Sequence, residues 1–311
     1  GRRALCSFGF VAVVCRRCVI VRKTEVSAAF CDERLIPEMC SRPTAGIGSR
    51  SAPAQVLSRS KMMFLNFQPS YSKDRILMPF LFAPPPQAVI PVQDERYEFF
   101  PVNRVYGAAK NYAADEKQRA AAAGFVPPLF MKSSDSIHPV ADGEVYRWPM
   151  PARTARMVPE LELVACLHKG GRNLSVEEAQ ECIWGWCVGF DFTRRLAPED
   201  LPAGGPWDLM KTLDGGAPVS HVRPAYRTPM PAPAEIYLYQ NNQKKQSAST
   251  AFMIVPPAEL IALISRYWEV RPGDVIFTGA PVNVPEAQVG DRLEGGVNGV
   301  GTLKVEIAAA L

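Results

Sequence analysis

From about residue 81 onward, the chain alternates short apolar runs with turn-forming residues. Apolar runs of about four to eight residues bounded by Gly, Pro or Asn are typical of β-strands. We predict strands at residues 127–132, 159–167, 235–239, 274–278 and 302–307. The pair Asn241-Asn242, between an apolar and a polar run, predicts a tight turn. The 29 prolines of the chain favour strands, turns and extended connections over long helices. The pattern therefore indicates a mainly β protein.

Three short helices are predicted between these strands. The Ala-rich segment 113–123 stops at Gly124, which is a common C-terminal signal. Ser175-Val-Glu-Glu178 has the pattern of a capping box and opens a helix that runs to about residue 183. A third helix spans 256–267 and begins with proline. With so few helices, the fold class is α+β and mainly β.

Charge is distributed unevenly along the 311 residues. Residues 1–80 hold 13 Lys/Arg and 5 Asp/Glu, whereas the remainder holds 22 Lys/Arg and 26 Asp/Glu. All of the net charge of +4 therefore comes from the N-terminal part. A basic arm on a mildly acidic body favours targeting, or docking on an acidic surface, over nucleic-acid binding. We predict an extension over residues 1–80 and a domain over residues 81–311.

The extension resembles an organellar leader in composition. It is rich in Arg and Ser and poor in acids, as mitochondrial transit peptides are, and we expect irregular backbone there. The apolar stretch 5–21 is interrupted by Arg16-Arg17 and is too short to span a bilayer. Two alternatives stay open for residues 1–24, which are suited to a membrane surface or to a groove on a protein partner. Five of the eight cysteines lie in the extension, but a lone CxxC at Cys15–Cys18 is weak evidence for a metal site.

Three carboxylates form the most informative set in the domain. Glu160 and Glu162 are two apart on a predicted strand, so they point to the same face roughly 7 Å apart. Asp191 ends a second apolar stretch, residues 184–191. Converging carboxylates are costly to bury unless a cation joins them, and three of them suit Mg²⁺. From residue types alone, salt bridges with Lys211, Lys132 or Arg195 explain the set equally well.

Six stretches resemble the fumarylacetoacetate hydrolase family, in its fumarylpyruvate/acylpyruvate hydrolase branch. These stretches are FPVNRVYGAAKNYAAD, PPLFMK, ELELVACLHKGG, WGWCVGFDFTRR, GPWDLMKTLDGGAPVS and PGDVIFTGAPVNV. They keep the order and approximate spacing of the family over some 225 residues. The resemblance implies a mixed β-sandwich or roll, a bound Mg²⁺ or Mn²⁺ ion, and a homodimer. It also implies cleavage of acylpyruvates, or decarboxylation or tautomerisation of oxaloacetate.

The resemblance also implies roles for individual residues. Glu160, Glu162 and Asp191 correspond to the metal ligands of the family, and Lys211 to its active-site lysine. Two further residues match substrate-binding positions, namely Lys132 and Arg195.

Other family positions are changed in this chain. The family has a His and a Glu, which together activate water, where this sequence has Asp115 and Gln118. Its substrate-binding Gln and Thr are replaced by Pro198 and Ala280. Glutamine cannot accept a proton, so only Asp115 and Lys211 remain as candidates for proton transfer. The three histidines are more simply explained as ordinary hydrogen-bonded residues. No phosphate-binding loop, Ser-His-Asp order or nucleic-acid-binding face is apparent.

The first hypothesis is a catalytically degenerate family member that serves as an accessory subunit of a mitochondrial assembly. A respiratory complex or a mitochondrial ribosome would suit, in the matrix or on the matrix side of the inner membrane, with protein partners held through residues 1–80. The alternative is an active Mg²⁺-dependent acylpyruvate hydrolase or oxaloacetate decarboxylase or tautomerase. Decarboxylation and tautomerisation need less water activation than hydrolysis does, because the metal polarises the 2-oxo acid. A third hypothesis makes residues 1–24 a membrane-surface anchor on an otherwise soluble enzyme.

Overall fold

The computed structural model describes residues 3–7, 10–15, 18–23, 26–30 and 81–310, except 198 and 201–206. The chain divides into two compact units, residues 1–81 and 82–311. No helix in the described parts is long and apolar enough to cross a bilayer. The targeting, docking and membrane predictions for residues 1–80 fall largely outside the described residues and stay predictions.

The first unit contains four antiparallel strands joined in sequence order. They are β1 (Arg3–Ser7), β2 (Phe10–Cys15), β3 (Cys18–Lys23) and β4 (Val26–Phe30). This regular backbone differs from the irregular structure that we predicted for the extension. The reason is composition, because β2 and β3 are rich in Val and Ile, which favour extended pairing over a transit-peptide helix or coil.

The second unit is mainly β and contains two sheets and a hairpin. Listed in their spatial order, the large sheet has β8 (Leu129–Lys132), β7 (Val105–Ala108), β17 (Val275–Phe277), β11 (Arg156–Leu167), β12 (Ile183–Arg195), β13 (Ala217–Val219) and β9 (Ile137–Pro139), and β14 (Arg223–Pro224) also pairs with β12. The other sheet has β10 (Val145–Pro149), β19 (Gly301–Ala308), β18 (Arg292–Val297), β15 (Glu235–Gln240) and β16 (Gln243–Ser249). The hairpin pairs β5 (Val89–Pro91) with β6 (Phe99–Pro101).

Four α-helices lie in the described part of this unit. They are α1 (Glu116–Ala121), α2 (Val176–Cys182), α3 (Asp208–Lys211) and α4 (Pro257–Tyr267). The predicted capping box is confirmed, because the Ser175 side chain accepts from the Glu178 amide and the Glu178 carboxylate accepts from the Ser175 amide. The predicted turn at Asn241 and Asn242 is also confirmed, with φ values of 52° and 64°. Helix α3, a single turn, was not predicted.

Strands β11 and β12 form the centre of the large sheet and separate two apolar clusters. Leu161, Leu163 and Phe190 enter the larger cluster, which includes side chains of the second sheet and α4. Val164 and Cys187 point the opposite way into a smaller cluster. Since side chains alternate along a strand, Glu160 and Glu162 lie on the same face as Val164. The carboxylates therefore continue the face that carries the smaller apolar cluster.

Candidate functional site

The register of β11 and β12 places the three predicted carboxylates together. Glu160 is directly opposite Asp191, and Glu162 is opposite Gly189. Directly opposed residues share a face, so all three carboxylates point to one side of the sheet. Asp191 lies within β12, which continues beyond the apolar stretch to Arg195. Glu162 and Asp191 are buried, whereas a quarter of the Glu160 side chain is exposed.

Two lysines from other elements neutralise part of this charge. Lys211, the last residue of α3, makes ion pairs with Glu160 (Nζ–Oε2 2.5 Å) and with Asp191. Lys132, the last residue of β8, makes an ion pair with the other Asp191 oxygen (Nζ–Oδ1 2.8 Å) and donates to the Lys211 carbonyl. The Lys211 ammonium also lies 4.6 Å from the centre of the Phe130 ring, within cation–π range.

Ionisation in this cluster follows from burial and the two ammonium groups. Burial opposes the ionisation of Asp191, but Lys132 and Lys211 outweigh it and hold the pKa of Asp191 below its ordinary value. Burial also opposes the ionisation of Lys211, but Asp191 and Glu160 outweigh it and raise the pKa of Lys211. Lys211 is therefore a persistent ammonium in this arrangement and not a base.

Glu162 differs from the other two carboxylates. Its hydrogen bond comes from the Gly279 amide (N–Oε2 2.5 Å), and it makes no ion pair with any described residue. Burial, and next the Asp191 charge, raise the pKa of Glu162 well above its ordinary value. Gly279 has a φ of +100°, and a Cβ there would lie 2.8 Å from Asn111 Cβ. Glycine is thus required where the backbone approaches Glu162.

Thr193 is a site residue that the sequence analysis missed. Its hydroxyl donates to Glu160 Oε2 at 2.5 Å, and its side chain is buried. Thr193 is two residues from Asp191 on the same strand, so its side chain shares the carboxylate face. That spacing was the available signal, but a lone threonine in an apolar strand carries little information by itself.

The donor set fits a divalent cation in charge and chemistry. Three carboxylates against two ammonium groups leave one negative charge, and oxygen ligands are those that Mg²⁺ and Mn²⁺ prefer. In the described residues, however, no three His, Cys, Asp or Glu side chains are grouped as metal ligands. The physical reason is that the Lys211 ammonium bridges Glu160 and Asp191, while the Gly279 amide holds Glu162. Lysine thus supplies the counter-charge in this arrangement.

Asp115, one of the two predicted proton-transfer residues, is not brought to the carboxylates. It is the N-cap of α1, where its side chain accepts from the Gln118 amide, and the Gln118 side chain accepts from the Ala114 amide. None of the residues of α1 is buried. The two positions that carry the family's water-activating pair therefore cap an exposed helix in this chain.

The two predicted substrate-binding residues occupy different environments. The Lys132 side chain is fully buried, and its contacts are with Asp191 and the Lys211 carbonyl. This geometry favours a structural role for Lys132 over the predicted contact with substrate. Arg195 is exposed on the carboxylate face of β12, four residues beyond Asp191, or roughly 13 Å along the strand. Its substrate contact stays a prediction.

The three histidines make no hydrogen bond or ion pair with the carboxylate cluster in the described structure. His138 is stacked on Tyr146 at a ring-centre distance of 3.6 Å, and burial lowers the pKa of His138. His168 Nδ1 is 3.1 Å from the Cys182 carbonyl oxygen. No histidine therefore replaces the missing water-activating residue in this arrangement.

A family model matches residues 104–308, and its description is "Fumarylacetoacetate (FAA) hydrolase C-terminal". A fumarylpyruvate hydrolase of Ralstonia sp is 35% identical over 163 residues, covering 51% of this chain and 83% of that protein. The mitochondrial oxaloacetate tautomerase FAHD1 of Bos taurus is 29% identical over 199 residues, covering 64% of this chain and 88% of that protein.

The solved structures include a similar fold with a bound metal. The fumarylpyruvate hydrolase of Pseudomonas aeruginosa, in complex with Mn²⁺ and pyruvate, is 34% identical with a TM-score of 0.68. The match covers 74% of this chain and all of that chain. The predicted mainly β fold of this family is thereby confirmed.

Proposed function

Since this chain belongs to the fumarylacetoacetate hydrolase family, we propose that it acts on 2-oxo acids with a divalent cation, as an oxaloacetate keto–enol tautomerase. The observation that carries the proposal is the buried carboxylate cluster, in which Glu162 has no cationic partner among the described residues. A relative with 29% identity is named an oxaloacetate tautomerase, and a similar structure holds Mn²⁺ and pyruvate. These findings support the active alternative over the degenerate one.

Glu160, Glu162 and Asp191 would hold the cation. When bound, a divalent ion supplies Lewis-acid polarisation of the 2-oxo group. Burial of Glu162 favours such binding, because an uncompensated carboxylate in an apolar setting is expensive, whereas Asp191 is already paired with Lys132 and Lys211. Lys132 keeps Asp191 oriented, and Thr193 does the same for Glu160.

The residues at the two water-activating positions, Asp115 and Gln118, favour tautomerisation over hydrolysis. Hydrolysis of a carbon–carbon bond needs a positioned general base for water, and its loss costs about 10²–10⁴-fold. Here Asp115 and Gln118 cap an exposed helix. Tautomerisation forms no bond to water, since a proton leaves C3 and another returns to the 2-oxo oxygen. The C3–H group of oxaloacetate lies beside the 2-oxo carbonyl, so its proton can pass to solvent once the enolate charge is stabilised.

Lys211 is suited to stabilise that charge. Its pKa is raised, so it stays an ammonium and donates hydrogen bonds to an oxygen on which negative charge develops. Phe130 lies against its ammonium group and Lys132 Nζ donates to its backbone carbonyl, so both contacts restrict Lys211. A fixed cation needs little reorganisation during the reaction, which is the condition under which electrostatic stabilisation is most effective.

Enol oxaloacetate provides the direct test, because its ultraviolet absorbance decays as the keto form appears. We expect Mg²⁺ or Mn²⁺ to be required for acceleration by the full chain, and we expect slow hydrolysis of fumarylpyruvate. Lys211→Met and Glu162→Gln should each abolish most of the acceleration, while Asp115→Ala, at the exposed cap, should keep it. A chain that leaves the decay unchanged with either metal ion refutes the proposal.

A second candidate function, an accessory subunit of a mitochondrial assembly, is favoured by one observation. The positions of the family's water-activating pair hold helix-capping residues in this chain, as expected of a member that does not hydrolyse its substrate. Some relatives carry mitochondrial names, whereas the Ralstonia relative is bacterial. The tagged full chain can test both the proposed matrix location and the proposed binding of partners through residues 1–80. Migration in a large complex on a native gel of mitochondria, together with no turnover, would favour this function.

A further inference from the structure

The loop that follows β17 contributes directly to the carboxylate site. Its first residue, Thr278, donates from its hydroxyl to the Leu163 carbonyl (2.8 Å), and its own carbonyl accepts from Asn111 Nδ2 (2.9 Å). The next residue, Gly279, provides the amide bound to Glu162. The orientation of Glu162 therefore depends on how this loop, residues 278–282, is held.

Gln246 holds the other end of the loop. Its Nε2 donates to the carbonyls of Pro281 and Val282, both at 2.9 Å. Gln246 is 6% exposed, and its bond to Pro281 is buried, whereas its bond to Val282 is partly buried. Both carbonyls belong to the loop, and one side-chain amide satisfies two consecutive backbone acceptors. A buried amide with two partners is costly to remove, because the loop carbonyls then lose their donors.

A β-bulge explains why this glutamine points inward. In β16, Lys244 pairs with Tyr239 and Gln246 pairs with Leu238, so Lys245 is an extra residue. Gln243, Lys244 and Lys245 are exposed, whereas Gln246 is buried. Bulges redirect side chains and are over-represented beside active sites. The extra residue in the strand pairing is therefore what directs the Gln246 side chain toward the loop.

We propose that Gln246 is a positioning residue of the site, which acts through residues 278–282 to keep the Gly279 amide on Glu162. The expected effect of Gln246 on catalysis rests on the proposed function, whereas its effect on the loop does not. Gln246 has no hydrogen bond or ion pair with the three carboxylates in the described structure, so its effect passes through the backbone of the loop.

Gln246→Met is the test variant, because methionine has a similar length and cannot donate. Gln243→Met is the matched control on the same strand, where the side chain is exposed. In Gln246→Met we expect the Gly279 amide to exchange with solvent at least about tenfold faster, while amides of α4 keep their rates. We also expect Mn²⁺ affinity, measured by electron paramagnetic resonance, to fall about 10- to 100-fold, as for other residues that orient metal ligands. The control should change neither quantity.

Unchanged Gly279 exchange in a folded Gln246→Met protein overturns the proposal, as does a uniform increase at all amides, which indicates a merely structural role. If the variant does not fold, hydrogen exchange measured by nuclear magnetic resonance on the wild-type chain tests the coupling between Gln246 and Gly279. The Gln246 side-chain amide protons and the Gly279 amide should then exchange at matching slow rates, and freely exchanging Gln246 protons refute the coupling. A wild-type chain that binds no Mn²⁺ refutes the proposed function, whereas the exchange measurements still test the role of Gln246.

Discussion

The ion pair between Lys132 and Asp191 allows a quantitative test of the site's electrostatics. Both side chains are fully buried, with Nζ and Oδ1 2.8 Å apart. Removing one partner of a buried pair typically costs about 3–5 kcal/mol. Because Lys211 still neutralises Asp191 in Lys132→Met, we expect a loss near the lower limit, about 3 kcal/mol. Lys304→Met makes the same substitution at a surface pair with Glu294, where both side chains are 44% exposed, and should cost about 1 kcal/mol or less.

Urea unfolding monitored by tryptophan fluorescence measures this difference. All five tryptophans lie in residues 82–311, so the signal reports the unit that contains the site. With a slope of about 3 kcal/mol per molar urea, Lys132→Met should lower the unfolding midpoint by about 1 M. The double variant with Asp191→Asn should lose less than the sum of the single variants, because the two groups interact. Equal losses in Lys132→Met and Lys304→Met refute the buried-pair argument.

Three further predictions concern other parts of the domain. Gly279→Ala should destabilise the unit by about 1–2 kcal/mol in urea unfolding and weaken Mn²⁺ binding, because an L-residue is strained at a φ of +100°; an unchanged midpoint contradicts this. Ser175→Ala should cost about 1 kcal/mol by the same assay, since it removes the capping box of α2, whereas Ser175→Asp should retain most of the stability. Burial lowers the pKa of His138 in the folded state below 6.5, so folding favours the neutral ring. The unfolded state then binds more protons between those two pKa values, and stability rises with pH up to about 6.5. His138→Phe should abolish this part of the pH dependence, and an unchanged pH profile would exclude His138 as its source.

The local sequence determined the features that depend on the alternation of side chains along a strand and on the residues that begin helices and form turns. The i, i+2 spacing of Glu160 and Glu162 predicted that both carboxylates share one face, and β11 places them so. The capping pattern at Ser175 and the Asn241–Asn242 turn were also predicted, because their hydrogen bonds and backbone angles involve residues within a few positions. The mainly β class followed from the short apolar runs and from the prolines.

Only the tertiary structure decided which distant groups meet the carboxylates. Lys211 comes from an unpredicted one-turn helix, and Gln246 lies in the polar run QKKQ, which by pattern alone indicates an exposed strand. A β-bulge turns the Gln246 side chain to the buried side of the strand. The local sequence gives no reliable signal for one extra residue in the pairing of two strands. The proton-transfer prediction for Asp115 could not anticipate its placement as an exposed helix cap. Such placements depend on strand register and on packing between remote segments, whereas a sequence pattern reports only the periodicity of its own element.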